Sequence, residues 1–217
     1  MPKLTLTFDN GPTPGTTEEV LGVLAQFKLP ATFFLVGDQL RSSGGWRTAE
    51  HIKAAGQRIG NHTMTHGTPL GRRREADHAE REIGDTERLI GDLAESPPLF
   101  RPNGGGVSGP HLLSAAAANY LATQGYTVVT WNSVPRDWEA PSAGWVDRAL
   151  RDIRRQDWTL LVLHDRGDTG AMDHLPRFLE AALKETEVVS DFPPDCMPMV
   201  AGRPQASLSQ IVTPAGR

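Results

Sequence analysis

Two histidines four residues apart, His62 and His66 in the run His62-Thr63-Met64-Thr65-His66, open the chemical reading of this chain. On one turn of helix their imidazoles would share a face and could hold one cation. Other groups able to move protons or hold charge stand at Asp9-Asn10, Arg101, Asp137 and His164-Asp165. Each has an ordinary structural use when taken alone. Asp9-Asn10-Gly11-Pro12 can be a plain turn, Arg101 a surface arginine bonded to a loop, and His164 a strand-end histidine satisfied by backbone. The conjunction decides the matter, and it depends on the elements that carry these residues.

Lys3 to Phe8 alternates and is rich in β-formers, so it predicts a strand ending at Asp9. Gly11, Pro12, Pro14 and Gly15 force a turn. Thr16 and Glu19 have the spacing of a capping box, ahead of helical periodicity at Val20, Leu21, Leu24 and Phe27. Ala31 to Val36 predicts a second strand, Arg47 to Ala55 a helix and Arg58 to Asn61 a third strand. Arg72 to Leu93 reads as a surface helix with a solvated charged face. Leu99-Phe100, Tyr126 to Trp131 and Thr159 to Leu163 follow as strands, interleaved with helices over His111 to Thr123, Trp145 to Arg154 and Leu175 to Leu183.

Repeated strand-then-helix units imply a parallel sheet, closed as a barrel or open and doubly wound. In either form ligands bind beyond the C-terminal ends of the strands. Asp9 and Asn10 follow the first strand, His62 and His66 the third, Arg101 the fourth, Asp137 the fifth and His164 the sixth. Unrelated accidents would not all fall at the same end of successive strands.

At 217 residues the chain is long enough for one core and short for two domains with a linker, so a single domain over 1–217 is expected, with 207–217 as a loose tail. A net charge of −4 supplies no basic field for a phosphate backbone, which argues against a nucleic-acid partner. The lone Cys196 excludes an internal disulfide and any multi-cysteine metal site. No apolar run approaches the roughly 18 residues needed to span a bilayer, and no signal core precedes the first strand. The expected location is the cytoplasm, without a membrane partner. The oligomeric state is not legible.

Thr7-Phe8-Asp9-Asn10-Gly11-Pro12, His62-Thr63-Met64-Thr65-His66, Arg101-Pro102, Asp137-Trp138 and Leu163-His164-Asp165 resemble, in this order, the five motifs of the polysaccharide deacetylase family, also called carbohydrate esterase family four. The resemblance spans Leu4 to Leu183 and includes Ala31-Thr32-Phe33-Phe34. It implies an irregular (β/α)7-type barrel and metal-dependent hydrolysis of an N-acyl group on an amino sugar, peptidoglycan fragment or related carbohydrate.

By that resemblance His62, His66 and Asn10 hold a divalent ion, zinc or alternatively cobalt, nickel or manganese, which polarises the acyl carbonyl and acidifies its bound water. Asp9 acts as general base and Arg101 keeps it ionised and aimed. His164 protonates the departing amine, and Asp137 orients it and favours its imidazolium form. A backbone N–H near Gly104 receives the oxyanion, and Trp138 and Val162 wall a slot for the acyl methyl.

The chain also departs from the family pattern. Two consecutive aspartates are usual in the first motif, and the second binds metal; here that position is Asn10, a neutral and weaker donor. The ion is then held weakly by Asn10, held with a carboxylate such as Asp9, or not held. After Arg101 the usual Pro-aromatic pair gives way to Asn103-Gly104-Gly105-Gly106, which implies a different or wider groove. Val134 replaces a common aspartate. Two other functions stay open: an amidohydrolase for small cyclic or linear amides, and a non-catalytic carbohydrate-binding protein.

Overall fold

The computed structural model describes residues 1–75 and 77–214. In chain order it contains β1 (Lys3–Asp9), α1 (Thr16–Phe27), β2 (Thr32–Leu35), α2 (Gly37–Arg41), α3 (Gly45–Ala54), β3 (Arg58–Asn61), α4 (Asp85–Ile90), β4 (Leu99–Phe100) and α5 (Ala115–Thr123). There follow β5 (Thr127–Val128), α6 (Gly144–Ile153), β6 (Trp158–His164), α7 (Leu175–Ala182), β7 (Glu187–Val188), β8 (Met199–Val200), β9 (Arg203–Pro204) and α8 (Leu208–Ile211).

One curled sheet runs β6-β1-β2-β3-β4-β5-β8-β9, and β7 pairs with the first residues of β1. Strands β1 to β6 pair in parallel, while β8 and β9 join antiparallel. The chain beyond β5 curves back to β6, where Ser133 bridges Leu161 and Asn132 Nδ2 bonds the Trp158 carbonyl at 2.9 Å. That single-residue closure is what makes the expected barrel irregular.

Strand alternation sorts side chains between two buried media. Leu4, Leu6 and Phe8 of β1, Phe33 and Leu35 of β2, and Leu161 and Leu163 of β6 face outward into the main core. Against them pack Val20 and Leu24 of α1, Trp145 and Val146 of α6, and Phe178 and Leu179 of α7. The opposite faces give a smaller inner cluster that includes Phe34, Leu160 and Val162, with Thr7 and Asp9 completing the inner side of β1. A helix-backed sheet of this kind holds its strand ends rigidly, and the rigid ends carry the site.

Several sequence expectations need correction. The cap of α1 is Gly15, whose N–H donates to Glu18 Oε2 at 2.7 Å; Thr16 and Glu19 do not form the box. The helix expected over Arg72 to Leu93 begins only near His78, passes through a π-turn at Glu80–Gly84 and tightens after α4 at Gly91–Leu93. The fifth strand is two residues long: Val129 N–H still reaches the Phe100 carbonyl, but Thr130 N–H turns to the Cys196 carbonyl and Ser133 then bridges Leu161 of β6. The tail is not loose through residue 214. Ile211 of α8 is buried in a further apolar cluster with Leu70, Phe100, Leu112, Leu121 and Tyr126, Val212 bridges Leu113, and Thr213 Oγ1 lies within hydrogen-bond reach of the Gly71 and Pro110 carbonyls. Residues 215–217 lie outside the described residues. Among the described residues no helix is long and apolar enough to cross a membrane.

Candidate active site

Ladder register brings the chemistry together. Asp9 at the end of β1 pairs with His164 at the end of β6 and with Phe34 of β2. Asn61 of β3 pairs with Phe100 of β4, so the next residues, His62 and Arg101, leave the sheet side by side. Adjacent strands lie about 4.8 Å apart, which is how five sequence-distant motifs meet at one end of the sheet.

Arg101 and Asp9 form its buried charge pair. Arg101 is 0% exposed, and its Nη1 donates to Asp9 Oδ1 and to Thr7 Oγ1, each at 2.7 Å. Its Nε and Nη2 reach the Val129 and Thr130 carbonyls, and its guanidinium lies 4.1 Å over the Phe34 ring. Burial raises the Asp9 pKa, but the charges of Arg101, His62 and His164 outweigh it and hold the carboxyl below its ordinary value. Asp9 is therefore an ionised carboxylate at neutral pH.

His62 and His66 meet with ring centroids 4.9 Å apart. They do so on a loop rather than the helical turn the spacing allowed, since Thr63 and His66 take left-handed φ of 70° and 50°. The Arg101 carbonyl can only accept, so His62 Nδ1 carries the hydrogen in their 2.8 Å bond. Nε2 is left bare, 3.5 Å from Asp9 Oδ2. Burial lowers the His62 pKa to about 4, against the pull of Asp9, which keeps the ring neutral. Burial lowers His66 as well.

His164 is in the opposite state. Asp137 holds it twice, through Oδ1 to Nδ1 at 2.7 Å and through Oδ2 to the His164 backbone N–H at 2.8 Å. Burial works against the imidazolium, yet the hydrogen bond and charge of Asp137, then the charges of Asp9 and Asp165, prevail and raise the pKa. One neutral imidazole pair and one protonation-prone imidazole thus flank the same carboxylate.

These groups line a cleft of about 250 Å³. Asp9, Asn10, His62, His66 and His164 form its polar side, Gly104 to Gly106 one wall, and Trp131, Val134, Trp138 and Val162 an apolar wall. All ten residues singled out from the sequence converge here, with Arg101 and Asp137 buried just behind the lining. Gly104, Trp138 and Val162 lie where a substrate would touch them, and the Trp138 ring stands edge-on to His164 at 5.1 Å. Pattern reading missed Trp131 and Arg166 in the lining, and Thr7 and Phe34 as partners of Arg101. Thr7 was findable, two residues before Asp9 on the same strand face. Trp131 was hidden because its strand breaks early.

Asp165, next to His164, serves the fold of this end of the sheet. It is buried, accepts a hydrogen bond from Thr17 Oγ1, and burial pushes its carboxyl up to about 7. A Cβ on Gly11 would collide with the Asp165 carboxylate. Gly11→Ala is therefore expected to destabilise the protein by about 1–3 kcal/mol as the loop after β1 is forced off Asp165, measured by urea unfolding.

The donors present fit a divalent cation, with a reservation about charge. Among the described residues no three His, Cys, Asp or Glu side chains are grouped for ligation. The third donor beside the imidazoles is an amide: Asn10 Oδ1 is buried with no hydrogen-bond partner, on a residue at φ 76°. An orphaned buried acceptor calls for a partner, a hydrogen-bond donor or a cation. Asn10 lines the same cleft as the two imidazoles, so these three side chains are the ones that would hold an ion there, as an uncharged set.

Residues 1–129 match the family model described as polysaccharide deacetylase. The peptidoglycan-N-acetylglucosamine deacetylase of Bacillus cereus is 32% identical over 167 residues, 76% of this chain and 73% of that protein. The chitooligosaccharide deacetylase of Sinorhizobium fredii is 34% identical over 168 residues, 76% of this chain and 72% of that protein. A solved family-four pseudoenzyme from Bacillus anthracis superposes with a TM-score of 0.70 at 18% identity, over 88% of this chain and 64% of that one, which speaks to the fold alone. The residues matched to the family model include Asp9, His62, His66 and Arg101, and the chain belongs to the polysaccharide deacetylase family.

Proposed function

We propose that this chain hydrolyses the N-acetyl group of an amino sugar within a chitooligosaccharide or peptidoglycan fragment. The observation that carries the reading is the pairing of an ionised Asp9, steadied by Arg101, with a protonation-prone His164, steadied by Asp137, across one cleft. Such a pair can remove a proton from water on one side of an amide and give one to the amine on the other.

Metal dependence is general in this family, and His62, His66 and Asn10 are the residues suited to hold the ion here. Zinc or cobalt bound there would polarise the acyl carbonyl and make water more acidic. The chain's own groups do the rest. Asp9 takes the proton of the attacking water, and Arg101 keeps that carboxylate from rotating away or protonating. His164 donates through Nε2, because Nδ1 is committed to Asp137. Gly104 to Gly106 bring backbone close to the carbonyl, and Trp138 with Val162 shelters the methyl.

The test is acetate release from N-acetylated chitooligosaccharides and peptidoglycan fragments, with zinc, with cobalt and with a chelator. Release that a chelator abolishes supports the reading. Asn10 favours one rival, a carbohydrate-binding protein without turnover, and sugar binding with no acetate under any ion would select it.

Asn10→Asp discriminates further. A carboxylate adds a full negative charge to a neutral donor set, so cobalt affinity measured by calorimetry is expected to tighten by at least about tenfold. Unchanged affinity would remove position 10 from the ligand set.

A further inference from the structure

The loop from His62 to His66 has a shape that ordinary residues avoid. Two left-handed positions, Thr63 and His66, sit within four residues, and each costs on the order of 1 kcal/mol. Such a loop persists only when its surroundings over-determine it. Part of the restraint is local: Thr63 N–H donates to Asn61 Oδ1 at 3.0 Å, and His66 N–H to Thr63 Oγ1 at 3.1 Å. The Thr63 and Met64 carbonyls accept from the N–H groups of Gly37 and Asp38. None of those contacts is charged.

Glu82 supplies the charged one. Its Oε2 accepts from both the Met64 and Thr65 N–H groups, at 3.1 and 3.0 Å, and its Oε1 from Thr65 Oγ1 at 2.9 Å. One carboxylate thus closes a small concavity of consecutive N–H groups midway between the histidines. Glu82 is aimed there by the π-turn Glu80–Gly84, where one extra residue per turn rotates the side chains that follow. The turn is tied to the same region a second time, because the Ile83 carbonyl accepts from Asn61 Nδ2 at 2.9 Å. Asn61 is fully buried and directly precedes His62.

We infer that Glu82 is a positioning residue of the two-histidine centre: its carboxylate fixes the 62–66 loop so that both imidazoles face Asp9. It acts on the loop and not on substrate, which separates it from the residues lining the cleft. This rests on the proposed reading of His62 and His66 as ligands, so the experiment has one arm that needs no metal.

In Glu82→Gln the carboxylate charge that strengthens all three bonds is gone, and with the amide oxygen on the two N–H groups the amide nitrogen faces the Thr65 hydroxyl, which must turn to accept. The first arm is amide hydrogen exchange without metal. Met64 and Thr65 protection is expected to fall at least about tenfold, while β1 and β6 exchange and Tm stay close to wild type. Wild-type protection at those two amides overturns the inference whatever the protein does with metal. The second arm is cobalt titration by calorimetry, where affinity is expected to fall about 10- to 100-fold, as when other residues supporting metal ligands are lost. With the ion saturating, kcat on N-acetylated chitooligosaccharide falls and KM holds. Lost protection with unchanged cobalt affinity also overturns it, since the loop would then not govern the imidazoles. If wild-type protein takes up no cobalt, the metal reading fails, and the exchange arm alone decides Glu82. Thr65→Val removes the Oε1 contact and the bond from Gly67 N–H to the same hydroxyl, keeps both Oε2 bonds, and is expected to lose less in both arms; a larger loss than in Glu82→Gln would contradict the carboxylate's role.

Discussion

His164→Ala is expected to lower kcat for deacetylation by about 10²- to 10⁴-fold, the range general acid–base groups supply, with KM changed little. The reason is the leaving group. An amine anion is too basic to depart from an acyl carbon, so its nitrogen must receive a proton as the bond breaks. His164 is placed for this by strand register with Asp9, and it stands beside an exposed Trp138 on the open side of the cleft. Asp137 makes the donor available. It raises the His164 pKa against the opposing effect of burial, so the imidazolium persists to higher pH than in a free histidine. The donor-limited arm of kcat/KM should therefore fall as pH rises through that raised value.

Asp137→Asn tests the same point without removing the imidazole. An amide offers one acceptor oxygen where Asp137 uses two, so with that oxygen on the His164 backbone N–H its nitrogen donates to Nδ1 and fixes the neutral tautomer. Loss of the charge lets burial dominate and moves the falling arm to lower pH. The same residue links to stability: a raised folded pKa contributes stability fully present below the unfolded value near 6.5, and lost as pH rises through the folded one. Circular dichroism of both variants checks the fold. A kcat for His164→Ala within threefold of wild type would remove it as the proton donor.

Much of this site was legible because motif order and strand order coincide. Asp9, His62, His66, Arg101, Asp137 and His164 each follow a segment whose composition is strand-like, and a parallel sheet gathers such ends by topology. The parts that were not legible depend on long-range closure. Thr127–Val128 is a short strand because Ser133 must reach Leu161, and no local property of Tyr126 to Trp131 encodes that demand. The shape of the 62–66 loop is set by Glu82, Gly37 and Asp38, which contact it from elsewhere in the chain. A four-residue histidine spacing can serve a helix or such a loop, and only tertiary hydrogen bonds choose. The tail from Ser207 reads as polar and proline-flanked, yet Leu208, Ile211 and Val212 give it enough apolar surface to dock beside Leu113. Asn10 was the residue where pattern and family disagreed, and its buried, unpartnered Oδ1 keeps that position the chemical question of the molecule.

Arg101→Met is expected to carry the largest stability loss in the protein, about 3–5 kcal/mol, because it leaves Asp9 as a buried charge without its partner. The Val129 and Thr130 carbonyls lose a donor at the same time, and Phe34 loses the cation over its ring. For a chain of this length that corresponds to a fall in Tm on the order of 10 °C. Arg101→Lys is no rescue, since a single ammonium cannot span Asp9, Thr7 and two carbonyls lying in different directions.

Asp9→Asn breaks the pair from the other side, stranding a guanidinium that burial already disfavours. The double variant strands neither charge, so its loss should be smaller than the sum of the single losses by about 1–3 kcal/mol. The pH dependence follows from the lowered Asp9 pKa: its contribution is fully present above the unfolded value near 3.9 and disappears as pH falls through the folded one. Asp9→Asn should accordingly flatten the acid limb of stability measured by urea titration. Additive losses in the cycle, or an acid limb unchanged in Asp9→Asn, would mean that the buried pair does not hold the base in its ionised state. The proton-removing half of the proposed reaction would then need another carboxylate.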